Sequence, residues 1–128
     1  MGRGAMTARS ARGREARRTG RRAEVFCALW LIAKGYRILG FRLRTPQGEI
    51  DLLALRRGVV VIVEVKRRAD LADALDAVGW RQRERLRRAA LSVTARRADL
   101  AGAAIRIDLI ALAPGRRPRH IHDAWREA

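Results

Sequence analysis

The spacing of apolar positions changes several times along the 128-residue chain. From Arg22 to Lys34 it is helical: Val25, Leu29 and Ile32 form an i, i+4, i+7 row with Phe26, Trp30 and Ala33 beside it. That row predicts the buried face of a first helix, and Gly35 just beyond suits a left-handed cap. Tyr36 to Arg44 reads as a first strand, closed by the turn Thr45-Pro46-Gln47-Gly48. Glu49 to Leu55 and Val59 to Val65 read as two more strands flanking Arg56-Arg57-Gly58. Ala69 to Gly79 is a connection with a short helical pattern at Leu71, Leu75 and Val78. Arg81 to Ala95 is a second long helix whose inward stripe is Gln82, Leu86, Ala89, Ala90 and Val93. Ile105 to Leu112 is a fourth strand, Pro114 to Pro118 a turn, and Arg119 to Trp125 a short edge strand. The order α-β-β-β-α-β-β predicts an α/β fold, one mixed sheet flanked by helices.

The second and third strands carry acids where apolar residues are expected. Strand alternation puts Glu49, Asp51, Leu53 and Leu55 on one face, and Val60, Ile62, Glu64 and Lys66 on one face of the next strand. A two-residue turn at Arg57-Gly58 pairs Arg56 with Val59. Asp51 then falls opposite Glu64, and Glu49 opposite Lys66. Directly opposed like charges destabilise a sheet unless a cation joins them. A hard divalent metal such as Mg²⁺ or Mn²⁺ on Asp51 and Glu64 meets that need, with Lys66 beside it to stabilise charge on a phosphate. The competing structural reading is an ordinary Glu49–Lys66 cross-strand pair with Asp51 held by a helix Arg. Glu24 stands on the first helix in a row with Cys27, Ala28 and Leu31. Its position near the helix start also suits a dipole partner or an ion pair with an Arg.

Charge narrows the partner class. There are 29 Lys+Arg against 13 Asp+Glu, net +16, and 27 of the cations are Arg. Residues 1–20 hold six Arg and one Glu and read as a disordered basic arm, of a composition shared with organellar transit peptides. Residues 21–128 still carry net +11 and form the folded domain. So basic a domain calls for a polyanion, and nucleic acid is the usual one. Arg81, Arg85 and Arg88 make one row on the second long helix with only Glu84 interleaved, a rail for phosphates. One cysteine, Cys27, and two histidines, His120 and His122, exclude a disulfide framework and a Cys-rich zinc module. They fit a reducing compartment, the cytoplasm. The two histidines read as surface residues, Arg106–Asp108 as a structural ion pair, and Trp30, Trp80 and Trp125 as packing residues. The longest apolar run, Val25 to Ala33, is less than half of the ~20 residues that span a membrane.

Gly20-Arg-Arg-Ala-Glu24, Lys34-Gly35-Tyr36, Arg44-Thr-Pro-Gln-Gly48-Glu-Ile-Asp51 and Val63-Glu-Val-Lys66 together resemble the bacterial YraN family. That family is similar to Holliday-junction-resolvase-like nucleases of the PD-(D/E)XK superfamily. The resemblance runs from about Gly20 to Trp125 and takes in Arg106-Ile-Asp108 and His120-Ile-His-Asp-Ala-Trp125. It implies a restriction-endonuclease-like core, metal ligands at Asp51 and Glu64, a catalytic lysine at Lys66 and a completing helix acid at Glu24. Arg81 stands where the family usually has Lys, which retains a phosphate contact; Arg44 is a further candidate contact beside the motif. Two functions follow as expectations. One is a metal-dependent endonuclease acting on DNA, branched DNA by the resemblance, working as a homodimer if the resolvase analogy holds. The other is a non-catalytic DNA- or RNA-binding module that retains the nuclease fold.

Overall fold

The computed structural model describes residues 20–126; the basic arm predicted over 1–20 lies outside them except for Gly20, which is already helical. Helix α1 spans 20–33 within this range. It stops at Gly35, whose φ of +92° turns the chain so that the Tyr36 N–H reaches back to the Leu31 carbonyl. Three strands follow as a meander: β1 (Arg37–Thr45), β2 (Gly48–Arg56) and β3 (Val59–Arg67). Both turn residues between β2 and β3, Arg57 and Gly58, have positive φ, the geometry that matches strand twist in a two-residue hairpin. The register is the expected one, from Arg56 opposite Val59 to Leu52 opposite Val63.

Helices α2 (Leu71–Asp76) and α3 (Trp80–Ala95) then cross over to β4 (Ala104–Leu112), which pairs parallel with β3. The short helical pattern in the connection is thus a helix of its own, capped by the Asp70 carboxylate accepting from the Ala72 N–H at 3.0 Å. β5 (Arg119–Ile121) closes the sheet antiparallel to β4 and is shorter than the predicted edge strand. Strand order is β1-β2-β3-β4-β5, with the sheet flanked by helices as in restriction-endonuclease-like folds.

Two cores result. On one face α3 packs Leu86, Ala89 and Ala90 against Leu53, Val60, Ile62 and Ile107. On the other, Cys27 and Leu31 of α1 meet Leu52, Ala54, Val61, Val63 and Ile110. β3 sits inside both, which is why its apolar run is nearly continuous rather than alternating. The face of α1 is a correction to the expected one. Val25, Phe26, Leu29 and Ile32 are about half exposed, and the buried row is Glu24, Cys27 and Leu31. Residues 23–33 are apolar on almost every side, so periodicity cannot select the inward row. Small Cys27 and Ala28 allow close approach to the sheet, and Glu24 finds a partner there. Trp80 is 64% exposed rather than packed, whereas Trp125 packs against α2 and donates its ring N–H to the Leu75 carbonyl at 3.0 Å. Among the described residues, no helix is long and apolar enough to cross a membrane.

Candidate metal centre

The β2–β3 ladder stops at Leu52–Val63, one rung short of the two acids. Beyond it the Asp51 carboxylate accepts from the Val65 backbone N–H at 3.3 Å, replacing a strand-to-strand bond with a side-chain one. Ile50 and Leu53 both pack on the α3 side while Leu52 packs on the α1 side. The predicted alternation of Glu49, Asp51 and Leu53 on one face is therefore broken in this stretch. The break brings Asp51 within electrostatic reach of Glu24 and Cys27 on α1.

Glu64 is 2% exposed and lies within electrostatic reach of Asp51. Burial, then the Asp51 charge, pushes the Glu64 carboxyl up to about 8, with Lys66 opposing. Asp51 is also raised, by burial first, against the Val65 N–H and Lys66. Burial and the nearby Asp51 charge thus favour the protonated form of Glu64. Neither acid forms an ion pair among the described residues. The alternatives weighed above, a Glu49–Lys66 salt bridge and an Arg held by Asp51, are both absent there.

Glu24 joins this cluster. Its carboxylate is nearly buried and receives Arg42 through two bonds, Nε at 2.6 Å and Nη2 at 3.2 Å. Burial raises its pKa, the Arg42 hydrogen bond lowers it, Asp51 and Glu49 raise it, and the balance is upward. Cys27 beneath it is pushed up to about 12 by burial and the two acids, so it is an inert thiol. The structure therefore brings Glu24, Asp51, Glu64 and Lys66 together. A largely buried set of carboxylate oxygens beside a lysine is the hard-donor chemistry that suits a divalent ion such as Mg²⁺ or Mn²⁺.

Arg44, Arg81, Arg85 and Arg88 are all exposed. Arg85 and Gln82 border a cleft of about 120 Å³ with Gln47, Gly48 and Glu49, so α3 approaches the β1–β2 turn beside the acids. Sequence reasoning missed Arg42 and Gln47. Gln47 has a buried amide oxygen without a partner. Arg42 carries one local signal, its place opposite Asp51 in the β1–β2 register, which only the pairing reveals.

A second polar cluster lies at the other end of α1. Asp108 is fully buried and receives both Arg106 nitrogens (2.7 and 2.8 Å), the His120 Nε2 at 2.8 Å and the Asp123 backbone N–H at 2.8 Å. Arg106 also donates to the Tyr36 hydroxyl at 3.1 Å, and Lys34 donates to His120 Nδ1 at 2.8 Å. The Arg106–Asp108 pair is as expected. The reading of His120 as a surface residue is not: its side chain is 2% exposed, because β5 docks it against Asp108. Asp108, His120 and His122 present ligand atoms within 4.8 Å of one another, the spacing of a metal site. Asp108 and His120, however, are already committed to Arg106, Lys34, the Asp123 N–H and each other.

Residues 23–112 match the profile of the family described as Uncharacterised protein family UPF0102. A UPF0102 protein of Caulobacter sp. (strain K31) is 66% identical over 91% of this chain and 84% of its own length. One from Maricaulis maris is 49% identical over 88% of each chain, and one from Agrobacterium fabrum 44% identical over 94% of this chain and 99% of its own. On that match and these identities, the chain belongs to UPF0102, the YraN family that its motifs resemble.

Proposed function

We propose that this protein is a metal-dependent endonuclease hydrolysing phosphodiester bonds in DNA, with branched DNA suggested by the resemblance, in the cytoplasm. The observation that carries the reading is the buried Glu64 carboxyl with Asp51, Glu24 and Lys66 all within electrostatic reach of it. Acids crowded in this way raise one another's pKa, a cost that a divalent ion held between them removes.

Asp51 and Glu64 would hold the ion, with Glu24 completing the set. When bound, the ion supplies Lewis acidity at the phosphoryl oxygen and an acidified water. Lys66 stabilises the negative charge that grows on the phosphoryl oxygens. Arg44 on β1 and Arg81, Arg85 and Arg88 along α3 hold the backbone phosphates on either side of the reacting one. No residue here reads base sequence, consistent with recognition by shape. Cutting two strands related by twofold symmetry calls for two copies, and sedimentation of the protein with a four-way junction reports that stoichiometry.

The test uses labelled linear duplex, single-stranded and four-way-junction DNA with Mg²⁺, Mn²⁺ or EDTA. Cutting is expected in either metal, none in EDTA, and a loss of about 100-fold or more in Asp51→Asn and Glu64→Gln. Tight, salt-sensitive binding without cutting by the wild type in either metal would replace the enzyme with the non-catalytic nucleic-acid-binding module.

A further inference from the structure

Arg42 occupies an unusual place. On β1 its neighbours Phe41 and Leu43 pair with Leu52 and Ile50, so Arg42 stands on the rung of Asp51, just past the last β2–β3 pair, Leu52–Val63. The Arg42 backbone is left-handed, φ +49°, a region where a long side chain is strained. Neighbouring residues accommodate the kink. The sheet register shifts between Ile38 and Gly40, and Leu43 folds back over Gly40, where a Cβ would lie 2.3 Å from its Cδ1. The strained turn delivers the guanidinium to both oxygens of Glu24, at 2.6 and 3.2 Å.

Resting on the metal reading above, we propose that Arg42 and the divalent ion compete for Glu24. Arg42 is a positioning residue that keeps the helix acid ionised and held at the site. When the ion arrives it releases Glu24 and turns its guanidinium to the substrate phosphate. Charge balance argues for the exchange. Three carboxylates facing Lys66, Arg42 and a dication carry one positive charge too many, and a phosphodiester restores neutrality. Of the two protein cations, Arg42 is the one paired to a ligand acid, and at 27% side-chain exposure it has a path outward. A guanidinium also suits the fork of a phosphate once it leaves the carboxylate.

The test is calorimetric titration of the DNA-free protein with Mn²⁺. Arg42→Gly removes the guanidinium while its backbone suits the positive φ; Arg42→Asn, which also tolerates that region, is the second variant. Both are expected to bind Mn²⁺ about tenfold more tightly than wild type, because the ion's competitor for Glu24 is gone. In a Glu24→Gln background the same change is expected to have less than about a twofold effect, the contested acid being absent. Duplex binding measured in Mn²⁺ with Lys66→Gln, which keeps the carboxylates but blocks cutting, carried in both proteins should show a salt slope smaller by about one unit on losing Arg42. Unchanged or weaker Mn²⁺ binding in both variants, with cooperative melts retained, overturns the competition and leaves the metal site standing. Equal tightening in the Glu24→Gln background overturns it too, in favour of a bulk field effect. Absence of Mn²⁺ binding in the wild type overturns the metal reading and this inference with it.

Discussion

Asp108 and Glu64 are both buried carboxylates on neighbouring central strands, and the chain treats them in opposite ways. Burial alone would raise Asp108, but donors from His120, Arg106 and the Asp123 backbone bring it down to about 2. Glu64 has burial and a facing acid, and stands at about 8. One site is satisfied by the protein itself, and its partner Arg106 is correspondingly held well above its ordinary value by Asp108. The other has no ion pair among the described residues. On the proposed reading the difference separates a structural polar network from a site for a ligand, although both look alike as acids in apolar strands.

Breaking the satisfied cluster should cost most. Asp108→Asn leaves the half-buried Arg106 without its charge partner, and a loss of about 3 kcal/mol is expected in urea unfolding. Glu64→Gln should do the reverse and stabilise the metal-free protein at pH 8, by an order of 2 kcal/mol. The pH slopes also oppose. A carboxyl raised in the folded state favours folding below its unfolded pKa, so the Glu64 contribution fades as pH climbs from about 4.5 to about 8. Asp108, lowered, contributes above about 3.8 and loses its contribution as pH falls toward 2. Thermal melts from pH 4 to 9 should therefore decline toward the alkaline end in wild type and flatten in Glu64→Gln. A decline that survives in Glu64→Gln would assign it elsewhere.

The β2–β3 hairpin was legible in the sequence. Arg57-Gly58 fixes its register because both residues accept positive φ, and the pairing runs to Leu52–Val63, one rung before Asp51 and Glu64. Three things were not legible, each for a physical reason. The inward face of α1 is hidden because residues 23–33 are apolar nearly all round, and the row that turns inward is the one carrying a charge, Glu24. Arg42's reach to Glu24 depends on a left-handed residue in mid-strand, which no local pattern specifies. His120 is buried only because β5 lies against Asp108, a contact from 12 residues away that strand alternation cannot show.

Metal binding measures the same contrast directly. Saturating Mn²⁺ should raise the stability of the wild type by about 2.7 kcal/mol at 100 times its Kd, and Glu64→Gln should abolish the gain. The Asp108–His120–His122 cluster has metal-like spacing, so it is the rival location. His122 separates the two. It is exposed, stacks on His120 with ring centroids 4.3 Å apart, and is held below the ordinary histidine range by burial and by His120. A low pKa leaves it neutral and free to ligate at pH 7, so its protonation is no obstacle to metal. The obstacle is Asp108, whose two oxygens already accept four bonds, and His120, whose Nδ1 takes the Lys34 ammonium. His122→Ala should change stability by no more than about 0.5 kcal/mol, as exposed substitutions do, and leave the Mn²⁺ gain intact. A Mn²⁺ or Zn²⁺ gain lost in His122→Ala and kept in Glu64→Gln would exchange the roles of the two clusters.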